Sequence, residues 1–296
     1  MPLKDRVAIV TGAGGGLGRQ HALYLAGKGA RVVVNDLAPE AAEAVAGEIR
    51  AGGGEAMAIA GSVTDEAGVA AMVARAIDAW VRIDILVNNA GILRDRSFTK
   101  MSLHEFRQVV DVHLMGAAIC SKAVWQSMRA QGYGRIVMTT SSSGLYGNFG
   151  QANYGAAKMA LVGLMQTLAI EGEKYGIRVN CLAPTASTGM TADVLPEDSL
   201  RALDPALVSP ALLPLVGEDA PTRAIVCAGA GHFARAYVTL TEGRHLGAGA
   251  DAGERLIAEW DAVSDPVGQI VPEYGFTQAE REVASANAHA GESMPA

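Results

Sequence analysis

A tyrosine and a lysine lie one helical turn apart in the segment SSSGLYGNFGQANYGAAK, residues 141–158. Tyr154 and Lys158 occupy positions i and i+4 of a predicted helix, so they share one face, about 6 Å apart along its axis. A tyrosine normally keeps its proton up to about pH 10, and a neighbouring ammonium is expected to lower that pKa. This pair therefore predicts a phenol that exchanges a proton with a substrate hydroxyl near neutral pH.

A serine precedes the pair at the end of a predicted strand. Ser141 lies thirteen residues before Tyr154, and a hydroxyl there can hydrogen-bond a substrate oxygen as charge shifts onto it. A Tyr-x-x-x-Lys pattern alone also fits an ordinary pair on a helix surface. Its position after a serine-ended strand favours catalysis by Ser141, Tyr154 and Lys158.

The glycine-rich loop TGAGGGLG, residues 11–18, follows the first predicted strand and opens a predicted helix. Gly12, Gly16 and Gly18 permit positive φ and a close approach of the backbone to a pyrophosphate, toward which the helix points its positive end. A glycine cluster alone also fits a tight turn, but its place between a strand and a helix favours a dinucleotide site. We assign Leu17, between two of these glycines, to the same cofactor-binding surface.

The second predicted strand ends at Asn35 and Asp36. A carboxylate at this point can accept hydrogen bonds from the adenosine ribose hydroxyls, and it repels a 2′-phosphate. The sequence therefore predicts NAD rather than NADP as the cofactor. The alternative is that Asp36 only caps the helix that begins near Pro39.

Short apolar runs alternate with longer helix-compatible stretches, and these elements have to position the side chains above. Continuous apolar strands indicate a sheet covered on both faces, and repeated strand–helix–strand units give parallel order with right-handed crossovers. We predict an α/β fold: a single doubly wound parallel β-sheet of the Rossmann type, with helices on both faces and a C-terminal extension. The predicted strands are residues 7–10, 31–34, 56–60, 83–87, 135–140, 177–183 and 223–228.

Length and composition restrict the class of protein. The 296 residues fit one large domain, residues 1–296, with a core over about 5–228 and an extension over about 229–296. The net charge of −7 argues against a nucleic-acid partner, and no apolar run is long enough to cross a membrane. The three cysteines show no metal-ligand spacing, and no signal-peptide pattern opens the sequence. We expect a cytoplasmic protein without a metal, a nucleic-acid partner or membrane insertion.

Taken together, the motifs resemble those of the short-chain dehydrogenase/reductase family. The glycine loop matches TGxxxGxG, NNAG at residues 88–91 matches the motif after the fourth strand, and the Ser–Tyr–Lys set matches the catalytic residues. The resemblance implies that Tyr154 is the acid/base, that Lys158 also holds the nicotinamide ribose and that Ser141 orients the substrate oxygen. It also implies that Tyr154 itself, Asn89, Ala90 and Gly91 border the cofactor.

One departure from the family concerns its proton relay. The family usually has Asn in the helix after the fourth strand, where this chain has DVHLMG and therefore His113. An imidazole can still bond a water or a backbone carbonyl, but its usual pKa is near neutrality. The resemblance implies a catalytic role for His113, and the alternative is a structural helix histidine.

Two further departures lie along the predicted cofactor site. Where the family usually has an Asp that contacts adenine, this chain has GSV, so that Ser62 and Val63 stand there. Pro184 after the sixth strand is followed by Thr rather than Gly, and the next threonine is one residue off the usual spacing. Thr188 and Thr191 are therefore both candidates to contact the pyrophosphate or the carboxamide.

Four segments resemble one subgroup of this family more specifically than the family average. They resemble the (3R)-hydroxyacyl-CoA dehydrogenase module of type 2 peroxisomal multifunctional enzymes, also called 17β-hydroxysteroid dehydrogenase type 4, and the resemblance implies that His113 is a trait of the subgroup. The segments are residues 90–102, 111–116, 143–158 and 168–184.

The subgroup implies a secondary alcohol of lipid character as the substrate, a 3-hydroxyacyl-CoA or a 17β-hydroxysteroid. It also implies a homodimer or homotetramer built through two long helices, here about residues 102–130 and 153–175. Two alternatives stay open. One is a reductase of 3-oxoacyl thioesters on acyl carrier protein, and the other is a catalytically silent dinucleotide-binding module.

Overall fold

The strands described by the computed structural model, which covers residues 1–187 and 202–292, form one sheet. Their spatial order is β3-β2-β1-β4-β5-β6-β7-β8, which changes direction between β1 and β4 and so creates the crevice where doubly wound sheets bind ligands. Pairing is parallel from β3 through β7, and the last pair is antiparallel. The strands are β1 Val7–Thr11, β2 Arg31–Asp36, β3 Ala56–Ala60, β4 Ile85–Asn88, β5 Gly134–Thr139, β6 Ile177–Pro184, β7 Ile225–Gly229 and β8 His232–Ala236.

Helices connect the strands and cover both faces of the sheet, as the sequence predicts. The seven predicted strands are confirmed, with their ends within two residues of the predicted ones. Among the helices described, none is long and apolar enough to cross a membrane. The helices of this part are α1 Gly16–Gly27, α2 Pro39–Ala51, α3 Glu66–Trp80, α4 Leu103–Val110, α5 Gly116–Gln131, α6 Ser142–Tyr146, α7 Ala152–Gly172 and α8 Leu212–Val216, with a π-helical turn at Asp111–Met115 and 3₁₀ turns at Glu173–Tyr175, Pro205–Leu207 and Ser209–Ala211.

The continuous apolar strands have two buried faces. Val7 and Ile9 of β1 belong to one core cluster, which α3, α5 and α7 cover, whereas Ala8 and Val10 belong to a second cluster under α1, α2 and α8. Because successive side chains of a strand point to opposite faces, both clusters require apolar residues at every position.

The edge strand β8 departs from the predicted parallel sheet. It pairs with β7 in antiparallel order through the turn at Ala230 and Gly231, whose φ values are 51° and 74°. Two residues with positive φ form the tight turn that right-twisted hairpins prefer. A parallel neighbour would instead need a crossover of a dozen or more residues.

The chain divides after Ala236 into two compact units, Met1–Ala236 and Tyr237–Ala296. The first unit holds the sheet and the helices that cover it. The second unit contains α9 Ala252–Ala258, α10 Trp260–Val263 and α11 Phe276–Glu292, and an isolated β-bridge joins Leu240 to Ile270. From residue 237 to residue 289, none of the side chains described is buried.

Candidate active site

A cleft of about 650 Å³ opens at the carboxyl ends of the parallel strands. Parallel strands present the ends of their motifs along one edge of the sheet, so segments distant in sequence meet there. Most of the site residues predicted from the sequence line this cleft. They are Gly12, Gly16, Leu17, Gly18, Asp36, Asn89, Ala90, Gly91, His113, Ser141, Tyr154, Lys158 and Pro184.

Tyr154, Lys158 and Ser141 come together from two elements. Tyr154 and Lys158 lie on α7, and the Lys158 Nζ is 5.4 Å from the centroid of the Tyr154 ring. Ser141 directly precedes α6 as its N-cap, and its side chain hydrogen-bonds that of Tyr154. Lys158 is buried, and its ammonium donates a hydrogen bond of 2.6 Å to the carbonyl of Thr139. The arrangement brings a phenol, a hydroxyl and an ammonium together in the lining of one cleft.

The pKa of Tyr154 does not shift as the sequence predicts. Burial raises the pKa of this phenol above its ordinary value, the hydrogen bond with Ser141 lowers it only in part, and the nearby Asp95 carboxylate raises it further. Burial also lowers the pKa of Lys158 to about 7. The expected lowering of the pKa of Tyr154 is therefore wrong for this chain, because burial of the phenol itself outweighs the hydrogen bond that lowers its pKa.

Replacing Lys158 with methionine is expected to increase the free energy of unfolding at pH 6 by roughly 2 kcal/mol. The wild-type folded state holds a buried ammonium with a pKa of about 7, whereas the unfolded chain binds that proton up to about pH 10.4. Between these values the unfolded state binds more protons, so the wild type gains stability as the pH rises. The methionine variant lacks this gain. Denaturant titrations at pH 6, 8 and 9.5 check the prediction, which a pH-independent difference between the proteins would contradict.

His113 lies in the π-helical turn, against the other side of the phenol. Its ring meets the Tyr154 ring edge-on, with 5.2 Å between the centroids. Burial, with a contribution from the Lys158 charge, lowers the pKa of His113 to about 3, so the imidazole is neutral at physiological pH. Its Nε2 lies 2.8 Å from the carbonyl oxygen of Ile92. The buried Nδ1 has no hydrogen-bond partner among the described residues, and His113 lines a cavity of about 10 Å³ together with Lys158, about the smallest space that admits a water.

The glycine loop is held against the NNAG motif by side chains of both segments. The Thr11 hydroxyl accepts hydrogen bonds from the backbone N–H groups of Asn89 and Ala90, at 3.0 and 3.1 Å. The Asn89 amide donates to the carbonyls of Thr11 and Gly12. A Cβ on Gly18 would lie only 2.1 Å from the Gly12 carbonyl oxygen, so the backbone approaches here as closely as a pyrophosphate-binding turn requires. The residues present therefore fit a dinucleotide.

The Asp36 carboxylate is hydrogen-bonded to the backbone of the glycine loop. It accepts hydrogen bonds from the backbone N–H groups of Gly14 and Ala38, at 2.9 and 3.1 Å. The N-cap of α2 is Ala38, with no side-chain cap, so Asp36 does not act as the N-cap considered above. The carboxylate lines the cleft beside the glycine loop, where the ribose of a dinucleotide would meet it.

Four predicted cofactor residues are not placed in the cleft. The Ser62 hydroxyl lies 2.8 Å from the hydroxyl of Thr64, so it bonds within its own loop. Val63 is buried in the core and lines the small cavity beside Lys158 instead. Thr188 and Thr191 lie outside the described residues.

Sequence reasoning missed a polar wall opposite the cofactor loop. The Gln151 amide donates to Asp95 at 2.6 Å, and its oxygen accepts from Ser143 at 2.7 Å. All three side chains line the cleft, as does Phe149. Their position between Ser141 and Tyr154 marks Ser143, Phe149 and Gln151 as neighbours of the chemistry. No spacing rule, however, pairs Gln151 with Asp95, which lies 56 residues away in sequence.

A profile of the short chain dehydrogenase family matches residues 6–199. The chain belongs to this family. The resemblance inferred from the motifs is thereby confirmed, and the protein is an oxidoreductase that acts on CH–OH groups with a nicotinamide dinucleotide.

Other short-chain dehydrogenases match the chain over most of its length. A protein of Mycobacterium tuberculosis, named only by its type as a short-chain dehydrogenase/reductase, is 44% identical over 273 residues, which are 89% of this chain and 95% of that protein. The 7α-hydroxysteroid dehydrogenase solved with NADH and 7-oxo glycochenodeoxycholic acid is 30% identical, with a TM-score of 0.72 over 77% of this chain and 94% of that one.

Peroxisomal multifunctional enzyme type 2 of Drosophila melanogaster is similar in sequence and in structure. It is 50% identical over 223 residues, which are 72% of this short-chain dehydrogenase and 37% of the fly protein. The structure of the full-length fly enzyme superposes with a TM-score of 0.81 and 37% identity over 97% of this chain and 50% of that chain. The present chain thus spans half or less of the length of the fly relative.

Proposed function

We propose that this short-chain dehydrogenase oxidises 3-hydroxyacyl-CoA thioesters to 3-oxoacyl-CoA thioesters with NAD, and catalyses the reverse reaction. The observation that carries the proposal is the shared cleft: Tyr154, Lys158 and Ser141 line the same cleft as the glycine loop and Asp36 at the end of β2. The similarity to peroxisomal multifunctional enzyme type 2 supports the substrate class. A 17β-hydroxysteroid is the second substrate of this type that the subgroup suggests.

The chain's own residues move the proton and orient the oxygen. In the oxidation direction the deprotonated Tyr154 takes the proton of the substrate hydroxyl, while Ser141 hydrogen-bonds the same oxygen and holds the carbinol carbon in place. The nicotinamide, when bound, accepts the hydride from that carbon. In the reduction direction Tyr154 gives its proton to the carbonyl oxygen, a role that suits a phenol whose pKa burial raises. Lys158 would hold the nicotinamide ribose, a role supported by the hydrogen bond that fixes its Nζ on the Thr139 carbonyl.

We propose that the neutral His113 takes part in the proton relay and holds the phenol of Tyr154 in position. Its Nε2 is engaged with Ile92, which fixes the ring, while Nδ1 has no partner in the described part of the chain and the residue lines a small cavity together with Lys158. The edge contact with Tyr154 also fixes the position of the phenol. His113 thereby stands where the family usually has asparagine.

Asp36 supports NAD as the cofactor. A carboxylate that accepts the ribose hydroxyls repels a 2′-phosphate at the same point. The Asp36→Asn variant keeps an acceptor for Gly14 or Ala38 and removes the charge, so we expect the preference for NAD over NADP to fall about tenfold, the effect of about 1.4 kcal/mol. The kcat/KM values for the two cofactors measure this ratio.

Assembly and compartment are further parts of the proposal. The helices predicted to join subunits carry exposed apolar side chains, among them Leu103, Met115 and Ile170, which supports a homodimer or homotetramer. We place the enzyme in the cytoplasm, where its three free cysteines stay reduced, although the fly relative is named for the peroxisome. A lipid-like small molecule is the expected partner.

Turnover tests the proposal. The protein is mixed with NAD or NADP and the two enantiomers of 3-hydroxybutyryl-CoA and 3-hydroxydecanoyl-CoA, and NADH or NADPH absorbance is followed. We expect turnover with NAD and one enantiomer. Turnover of 17β-hydroxysteroids alone would replace the substrate class, and NADPH-dependent reduction of acyl carrier protein thioesters alone would favour the 3-oxoacyl reductase. Cofactor binding without any turnover would indicate a silent dinucleotide-binding module.

A further inference from the structure

One aromatic side chain of the cleft lining is almost fully exposed to solvent. Phe149 is 90% exposed and lines the same cleft as Ser141 and Tyr154. It lies between two glycines with positive φ, Gly147 at 79° and Gly150 at 81°. The backbone on both sides of Phe149 therefore has a positive φ, which glycine adopts readily and other residues adopt rarely.

Hydrogen bonds on both sides fix this loop. The N–H of Gly147 donates to the carbonyl of Ser143 at 3.1 Å, and the carbonyl of Gly150 accepts from the N–H of Arg96 at 2.9 Å. Between them the Asn148 amide donates to the Gln151 side chain at 3.2 Å. The backbone on both sides of Phe149 is therefore held in place. Because exposed aromatic area is unfavourable in water, an apolar partner that covers the ring gains free energy without first ordering the loop.

The side chains around Phe149 indicate which part of the substrate would cover its ring. The Asp95, Ser143 and Gln151 side chains bond to one another and leave Phe149 and Leu93 as the large apolar side chains on this wall of the cleft. A substrate whose oxygen lies between Ser141 and Tyr154 carries its hydrocarbon chain on one side and the amides and phosphates of CoA on the other. The hydrocarbon side matches an apolar ring.

We propose that Phe149 is a specificity-determining residue that packs against the acyl chain of the substrate beyond its first four carbons. This inference rests on the proposed function. It predicts that the ring discriminates by chain length and takes no part in the proton or hydride transfer. Phe149 belongs neither to the glycine loop nor to the NNAG motif, so we expect cofactor affinity not to depend on it.

The test compares Phe149→Ala with wild type on 3-hydroxybutyryl-CoA and 3-hydroxydecanoyl-CoA. We expect kcat/KM for the longer substrate to fall about tenfold. Packing against one face of the ring buries about half the apolar area of a fully buried phenylalanine side chain, and the variant loses the corresponding transfer free energy. The value for the four-carbon substrate and the Kd of NADH stay within twofold. Phe149→Leu retains most of the chain-length preference. Phe98→Ala is the matched control, because Phe98 is 73% exposed but lies outside the cleft lining, and it leaves the preference unchanged.

Three outcomes would overturn the inference. Equal losses on both substrates would place the ring against the CoA moiety, and no loss on either would show that the substrate does not touch it. A changed oligomeric state in size-exclusion chromatography, with unchanged chain-length preference, would show that a second copy of the chain covers the ring. Wild-type protein that turns over neither acyl-CoA would overturn the proposed function as well, so the two failures are distinguishable.

Discussion

Replacing Tyr154 with phenylalanine is expected to lower kcat about 1000-fold, within the range that a positioned acid or base contributes. The variant keeps the ring, and with it the edge contact to His113 and the packing on α7, but it has no proton to exchange with the substrate oxygen. Because the ring stays, the Kd of NADH, measured by fluorescence titration, is expected to stay within about twofold. A loss in kcat without a loss of cofactor binding separates chemistry from binding.

The same segment offers a matched control. Tyr146 is 72% exposed and absent from the cleft lining, so Tyr146→Phe removes an identical hydroxyl eight residues away. We expect this variant to keep wild-type kcat. Undiminished activity of Tyr154→Phe, or equal losses in both variants, would contradict the assigned acid/base role.

Replacing Gly18 with alanine is expected to raise the Kd of NADH about 100-fold. A Cβ at this position would lie 2.1 Å from the Gly12 carbonyl oxygen and 2.5 Å from the Asn89 Nδ2. The first is a backbone atom and the second is bonded to the Thr11 and Gly12 carbonyls, so the glycine loop has to move. Overpacking of this kind costs typically about 1–3 kcal/mol, and about 2.7 kcal/mol corresponds to the expected factor.

Gly27 provides the control for this variant. It ends the same helix, and a Cβ there would meet nothing within 4 Å. Gly27→Ala is therefore expected to leave the Kd of NADH unchanged and to keep or slightly increase thermal stability, since alanine favours a helix over glycine. Equal affinity for NADH in the Gly18→Ala and Gly27→Ala proteins would show that the close approach at Gly18 does not shape the cofactor site.

The sheet and the cofactor loop were predictable because they depend on local signals. Residues such as Val7 to Val10 have to be apolar at every position of a strand between two helical layers. The glycine motif likewise encodes a backbone shape directly. Residues 233–243 are compatible with an extra strand, but the antiparallel direction of β8 was not predicted, because it depends on the turn at Ala230 and Gly231 rather than on the apolar pattern.

The electrostatics of the site were the least predictable part. The residue types predicted that a lysine one turn from a tyrosine lowers the pKa of that tyrosine. The sign of the pKa shift depends on burial, however, and residue spacing gives no information about burial. Lys158 is almost fully buried, and the charge of Asp95 enters from a separate loop. Ser62 likewise occupies the position in sequence where the family usually has an adenine-contacting Asp, but its hydroxyl lies within hydrogen-bond distance of the Thr64 hydroxyl instead.

The two hydrogen bonds that the Asp36 carboxylate already accepts from Gly14 and Ala38 bear on attempts to redesign the enzyme. A side chain without an acceptor at this position would remove the charge on which the proposed coenzyme preference rests and, at the same time, both hydrogen bonds to the backbone of the glycine loop and of the α2 N-cap. A Cβ on Gly14 would lie 2.8 Å from the Cβ of Ala41, so larger side chains at residue 14 cannot restore the support. With the proposed preference for NAD, we expect a change of coenzyme to need compensating substitutions around Gly14 and Ala38 in addition to the exchange at Asp36.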